Sequence, residues 1–393
     1  MEFRVVDIFA RLAFYYYIVP ISNMPIADLS NAGAPLLRYA IIGSGMMGLE
    51  HIRNLVEMPD VRIVGVCDPH TPSLEKARRV LNRMEGVRYF TNHLEMLGHC
   101  DADVVVIATP NHTHFNIAKD VLNSGKHMLI EKPLCITVSE CLELQQIEAA
   151  TSVEERVIWV GLEYRYMAPT ARVKQEIDKG TIGKVRMVSI REHRYPFLEK
   201  VDDWNRFNAN TGGTLVEKCC HFFDLMCVLA NSAPVSVMAS GSQDVNHLAE
   251  NYGGRTPDIL DNAYVIVNFD NGVRGMLDLC MFAEASKNEQ EICVVGDKGK
   301  IEAMISESVV RIGKRKNGYG TFQDFPIELE KDVVQGFHHG ASYMEHRFMQ
   351  AAIRDGQKAD IGLEEGLISV AIGQAAHLSI DQGRLVLISE VLA

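Results

Sequence analysis

The stretch Tyr39-Ala-Ile-Ile-Gly43-Ser-Gly45-Met-Met-Gly48 constrains this chain most. An apolar run enters a Gly-x-Gly-x-x-Gly turn and leaves it as a helix-forming segment from Leu49 to Met58. In such a turn the first glycine, Gly43, permits the reversal, and the second, Gly45, lets a pyrophosphate approach the backbone. The third, Gly48, lets the helix pack close to the strand. The helix N-terminus, with free N–H groups and a favourable dipole, then receives the anion. Twenty residues past Gly48, a second apolar run, Arg62 to Cys67, ends at Asp68. A carboxylate there bonds the adenosine ribose hydroxyls and repels a 2′-phosphate. No Arg or Lys follows until Lys76, and His70 reads as a surface loop residue, so the expected cofactor is NAD rather than NADP. Gly43, Gly45, Met46, Met47, Gly48 and Asp68 form the first part of the expected cofactor site.

Around this motif, short apolar strands (38–43, 61–67, 103–108, 127–131, 157–161) alternate with amphipathic helices (46–57, 73–83, 112–123, 138–149). Alternation with short loops predicts a doubly wound parallel sheet, a Rossmann-type α/β domain. Asn111 is placed to cap the third helix and Gly125 to end it. Beyond Pro169 a helix (169–179) leads into β-rich segments at 185–195, 234–244, 262–269, 273–282, 290–296, 300–304 and 308–312. Asp270-Asn271-Gly272 is a hairpin signal joining two of them. Helices at 337–355 and 364–382 close the chain. The expected organisation is an extension (1–36), a dinucleotide-binding domain (37–161) and an α+β domain (162–393) with a large open, mainly antiparallel sheet. The last helices are free to pack back on the first domain. Residues 1–23 precede the first strand and are expected to add nothing to fold or activity; Glu2 and Asp7 spoil the basic start that a secretory signal needs.

A formal net charge of −12 leaves no basic face for nucleic acid or an anionic membrane. No apolar run reaches the length of a membrane span. Nine cysteines without a Cys-x-x-Cys pair suit reduced thiols and a cytoplasmic location. Apolar strands such as Tyr264-Val-Ile-Val267 on an open sheet need cover, so a homodimer or homotetramer packed sheet to sheet is expected.

Three segments carry polar groups where an open sheet holds its ligand. Thr109-Pro110-Asn111-His112-Thr113-His114 follows an all-apolar strand and reads equally as a loop or as the lining of a nicotinamide ribose. Its two histidines lack further ligands at metal spacing, so no metal is expected. Glu131-Lys132-Pro133 ends the next strand and brings a lysine that can polarise a hydroxyl or carbonyl oxygen. In Gly212-Gly213-Thr-Leu-Val-Glu217-Lys218-Cys-Cys-His221-Phe-Phe-Asp224, the residues Glu217, His221 and Asp224 share one helix face. A histidine flanked by carboxylates suits a general base. Cys219, Cys220 and His221 are adjacent on the helix and cannot converge on one ion.

Taken in order, these motifs resemble the glucose–fructose oxidoreductase / inositol dehydrogenase (Gfo/Idh/MocA) family across residues 37–393. Tyr164-Arg165-Tyr166 with Pro169, Ile353-Arg-Asp-Gly356 and Ser379-Ile-Asp-Gln-Gly383 extend the match. The resemblance implies pyridine-nucleotide oxidoreduction of a sugar, polyol or derivative, with Lys132 and His221 as the catalytic pair. It places Glu217, Tyr164, Arg165, Tyr166 and Asp224 toward substrate. One departure stands out: the family usually has Asp where this chain has Glu217, followed here by Lys218. The extra methylene bears on substrate class, since a displacement of about 1 Å can cost roughly 100-fold in rate. Two alternatives stay open: tightly held NAD assisting elimination or hydrolysis of a glycoside, and a non-catalytic sensor of dinucleotide or sugar.

Overall fold

The first half of the chain folds as β1 (Leu37–Ile42), α1 (Met46–Val56), β2 (Val61–Cys67), α2 (Thr71–Val80), β3 (Arg88–Phe90), α3 (His93–His99), β4 (Val104–Ile107), α4 (His114–Asn123), β5 (His127–Glu131), α5 (Val138–Thr151) and β6 (Ile158–Gly161). The computed structural model describes residues 35–151, 156–328, 333–334, 336 and 338–393, so the expectation for residues 1–23 falls outside the described residues. All six strands pair in parallel, in the order β3-β2-β1-β4-β5-β6. Helices on both faces bury β4 completely, which is why four apolar residues in a row suit it. The strand order reverses between β1 and β4, and the carboxyl ends of those strands open the ligand crevice there. β3 and α3 escape sequence reading because three residues with one buried apolar position give no periodic signal.

Asn111 does not cap α4. One 3-10 turn (Asn111–Thr113) intervenes, and the Asn111 side chain is aimed at the Thr211 carbonyl instead. Gly125 does end the helix, with φ +74° and its N–H on the Leu122 carbonyl.

The second half follows a 3-10 turn (Glu163–Tyr166) with α6 (Ala168–Asp178), β7 (Val185–His193), α7 (Asn208–Thr211), α8 (Thr214–Glu217), α9 (Cys220–Ala230), β8 (Pro234–Ser242), β9 (Asn262–Phe269) and β10 (Arg274–Cys280). Then come β11 (Gln290–Gly296), β12 (Gly299–Met304), β13 (Val309–Lys314), β14 (Gln323–Pro326), α10 (Ala341–Arg354), α11 (Leu363–Gln382), β15 (Val386–Leu387) and α12 (Ile388–Leu392). Nine strands form one sheet, β14-β13-β12-β11-β7-β10-β9-β8-β15, antiparallel except where β7 runs parallel to β10. Gly272, at φ +82°, closes the expected β9–β10 hairpin.

Beyond shifts of one to three residues at helix ends, two helices differ from the sequence reading. α10 begins at Ala341 rather than 337, because Gly340 sits at φ +86° in the left-handed region. The segment carrying Glu217 and His221 is two helices, α8 and α9, separated by Lys218 and Cys219. Both linking residues keep right-handed helical dihedrals, so the chain is kinked there and not reversed.

One face of the large sheet packs on α9 and α11. Its other face presents Met187, Met238, Ile266, Met276 and Tyr264, the last 64% exposed. α10 and α11 return to the first sheet. The Val160 N–H donates to the Ile361 carbonyl at 2.9 Å, and His51 of α1 meets His346 of α10 at 2.9 Å.

Candidate active site

The turn after β1 is built for close approach. Gly43 holds φ +90°, and any Cβ there would overlap the Ala108 carbonyl oxygen. A Cβ on Gly48 would overlap the Gly43 carbonyl, so α1 starts against the turn itself. Gly45 differs: a Cβ there would meet nothing within 4 Å. It faces the crevice, leaving bare backbone at the N-terminus of α1 where an anion can sit. Asp68, at the end of β2, accepts from Ser44 N at 2.7 Å, Ser44 Oγ at 2.9 Å and His70 N at 2.8 Å. Its carboxylate is thereby fixed at the crevice rim. His70 is no free loop residue as expected from sequence; its Nδ1 lies 2.8 Å from Ser73 Oγ, and it lines the crevice.

The crevice encloses ≈ 1170 Å³ and is lined by Gly43, Gly45, Met46, Met47, Asp68, Thr109, Pro110, Asn111, His112, Glu131, Lys132 and Glu217 among others. These residues come from the ends of β1, β2, β4 and β5 and from α8, so tertiary structure brings the glycine turn, Asp68, the Thr109–Thr113 loop, Lys132 and Glu217 to one crevice. His114 lies elsewhere. It is fully buried between the Pro133 carbonyl at 2.8 Å and the Thr109 carbonyl at 3.0 Å, and so staples two strand-end loops together. Burial holds its pKa below the usual range.

Lys132 extends from the end of β5 and donates from Nζ to the Glu217 carbonyl at 3.2 Å. Burial opposes its charge, but Cys220, Glu217 and Glu131 outweigh it and hold the ammonium protonated above its ordinary range. Glu131 accepts from His51 Nε2 at 2.9 Å. Although burial works against ionisation, that hydrogen bond and the neighbouring cations hold the Glu131 carboxyl down at about 2. Burial raises the Glu217 carboxyl above its ordinary range, and Lys132, Lys200, Arg206 and Arg194 offset that rise only in part. Its Oε2 has no hydrogen-bond partner among the described residues.

His221, at 1% exposed, is one turn beyond Glu217 and behind the crevice lining. Its ring stacks on Tyr164 with centroids 3.8 Å apart and planes 4° apart, and its Nδ1 has no partner among the described residues. Burial, followed by Lys132 and Lys218, pushes the imidazole well below its ordinary pKa and so holds it in the neutral form.

Four of the residues expected near substrate, Tyr164, Arg165, Tyr166 and Asp224, do not line the crevice. Arg165 and Asp224 form a buried, two-pronged ion pair, with Arg165 Nε donating to Asp224 Oδ2 at 2.7 Å and Nη2 bonding Oδ1. Tyr166 packs against Trp159 and Phe348. Sequence reading missed the far wall, formed by Lys200, Trp204, Phe207, Asn210 and Arg255. Asp202 and Asp203, both left-handed (φ 55° and 48°), fold this segment over the crevice. Trp204 also meets His112 edge to face at 6.3 Å. The clustered polar and aromatic residues of Asp202-Asp-Trp-Asn-Arg206 were the available signal.

A doubly wound sheet with this glycine turn, an acidic residue at the ribose position and a lysine beside the crevice defines a dinucleotide-dependent oxidoreductase. Comparison with known proteins makes this specific. Residues 37–161 match the oxidoreductase family's NAD-binding Rossmann fold, and residues 174–388 match its C-terminal alpha/beta domain. The chain belongs to the Gfo/Idh/MocA oxidoreductase family and is an NAD-binding enzyme of it. It is 23% identical to myo-inositol 2-dehydrogenase of Thermotoga maritima over 91% of this chain and 100% of the relative. It is 26% identical to scyllo-inositol 2-dehydrogenase (NAD(+)) of Bacillus subtilis over 88% and 95% of the two chains. Levoglucosan dehydrogenase, solved in complex with NADH and levoglucosan, superposes with a TM-score of 0.78 at 20% identity, covering 90% of this chain and 99% of that one.

Proposed function

We propose that this protein is an NAD-dependent dehydrogenase that oxidises a secondary alcohol of a sugar, an inositol-like polyol or a derivative. One observation carries the reading: Lys132 Nζ reaches the Glu217 carbonyl at 3.2 Å, and one turn further along, His221 is buried with its Nδ1 unpartnered among the described residues and feels the Lys132 charge. The inositol dehydrogenases among its relatives support the substrate class. When bound, NAD supplies a two-electron hydride acceptor. Its pyrophosphate would be held by the backbone at Gly45 and its ribose by Asp68. On this reading His221 takes the hydroxyl proton as the C–H hydride departs and the C=O bond forms. Lys132 donates to the same oxygen and stabilises its developing negative charge, and Glu217 orients neighbouring hydroxyls. Residues 37–161 serve the cofactor, and residues 162–393 serve substrate and assembly.

The test is NADH formation over a panel of inositols, aldoses and levoglucosan. His221→Ala and Lys132→Met should each lose about 100- to 10,000-fold in kcat, the range for a removed general base, with NAD affinity nearly unchanged. A near-normal kcat in His221→Ala would refute the assignment. Turnover without net NADH would point instead to redox-assisted elimination or hydrolysis of a glycoside.

The same reading includes a second copy of the chain over the exposed sheet face. Met238, Ile266 and Met276 are exposed neighbours across paired strands, with Met187 and Tyr264 exposed on the flanking positions, and such a contiguous apolar face calls for cover. Light scattering at micromolar concentration should give a dimer or tetramer mass; a monomer would overturn this. Nine free thiols support a cytoplasmic location.

A further inference from the structure

Lys218 stands at the junction of α8 and α9, where its side chain is 7% exposed. A buried ammonium is costly unless it is well paired. Two partners meet it: Glu192 Oε1, from fully buried β7 side-chain surroundings, at 2.9 Å, and Tyr164 Oη, which accepts from Lys218 Nζ at 2.9 Å. Arg194 reaches the same Glu192 oxygen at 3.6 Å. The Tyr164 ring in turn lies flat on His221, and Phe222 contacts it at an angle of 62°. One phenol therefore links a clamped cation to the imidazole proposed as the base.

We propose that Lys218 is a positioning residue: fixed by Glu192, it pins the Tyr164 hydroxyl, and the pinned ring holds the His221 imidazole in one orientation. This rests on the reading of His221 as the base. The link matters because a stacked aromatic face alone favours the imidazolium form by cation–π attraction. An ammonium at the other end of the same phenol works against that form. The other charged groups acting on His221 are Lys132 from the end of β5, Arg194 just past β7 and His338 before α10, which is itself paired with Glu163 at 3.0 Å. Two of these are permanent cations and remain when Lys218 is removed, so its loss produces a partial change.

The experiment is histidine-labelled NMR of the full chain saturated with NAD, with the His221 resonance assigned by its disappearance in His221→Gln. In the unsubstituted protein His221 should show one neutral tautomer from about pH 5 to 8. Lys218→Met should raise its protonation midpoint by about one pH unit, the scale of a neighbouring like charge. Tyr164→Phe keeps the ring and the ion pair and removes only the hydroxyl; it should broaden or double the His221 signal. Lys218→Arg should restore a single state. Unchanged His221 signals in both Lys218→Met and Tyr164→Phe would overturn the proposal. The readout needs no substrate, so absence of turnover in the unsubstituted enzyme would count against the dehydrogenase reading and leave this result standing. With a turned-over polyol, Lys218→Met should lower kcat while the KM for NAD holds.

Discussion

Asp224→Asn separates a structural role from a substrate-binding one more sharply than any other single change. Asp224 and Arg165 side chains are 2% and 5% exposed, and their carboxylate and guanidinium meet through two parallel contacts. Burial raises the Asp224 carboxyl, and only the Arg165 charge and hydrogen bonds compensate. Removing one partner of a buried pair strands the other charge, at about 3–5 kcal/mol. Arg165 Nη1 keeps its contact with the Asp360 carbonyl at 3.3 Å, which points to the lower end of that range. At roughly 2–4 °C per kcal/mol for a domain of 150–250 residues, the melting temperature should fall by about 6–12 °C. Thermal melts followed by circular dichroism, with substrate KM measured well below the transition, provide the assay. An apolar double replacement, Arg165→Met with Asp224→Leu, removes both charges and should recover most of the loss. A melting temperature within about 2 °C of the parent, together with a raised substrate KM, would refute the reasoning. Asp224 would then be the substrate ligand that its place on the His221 helix suggests.

Two glycines of the turn should behave in opposite ways. Gly43→Ala forces a side chain into φ +90° and onto the Ala108 carbonyl, so stability should drop by about 1–3 kcal/mol or more and NAD binding should fall with it. Gly45→Ala meets no protein atom, so its melt should match the parent while NAD titration shows clear weakening; equal NAD affinity would argue that the pyrophosphate lies elsewhere. Acid sensitivity should trace in part to His377, whose Nε2 accepts from Leu215 N at 3.2 Å and whose pKa burial lowers to about 4. The unfolded chain binds a proton at this residue below its ordinary pKa of 6.5, while the folded chain resists until about 4. Its contribution is therefore intact above pH 6.5 and is lost as pH falls toward 4, with a slope of up to about 1.4 kcal/mol per pH unit. Denaturant melts from neutral to acid pH should show a shallower slope in His377→Gln, and an identical slope would sink the assignment.

The cofactor half of this protein was legible because its signals are local. Strand, Gly43-x-Gly45-x-x-Gly48, helix and Asp68 lie within 32 consecutive residues, and each acts through backbone conformation or through the end of one element. Burial of β4 on both faces is likewise written into four consecutive apolar residues. Helix periodicity also put Glu217 and His221 on a shared face, and the fold keeps them at one junction. The same periodicity put Asp224 beside them, but its partner in the fold was not legible there. A helix face says which residues point together, but what they meet depends on the element packed opposite. Arg165, 59 residues away, pairs with Asp224 in the fold. Nothing local to Lys218 shows its partners: β7 brings Glu192 to it and the 3-10 turn brings Tyr164. The far wall of the crevice depends on two left-handed aspartates and on Arg255, which lies about fifty residues further along the chain. Turn chemistry and strand periodicity belong to neighbours in sequence, and so the sequence determined them. Which buried charge finds which counter-charge is fixed by how the layers pack, and only the tertiary structure decided that.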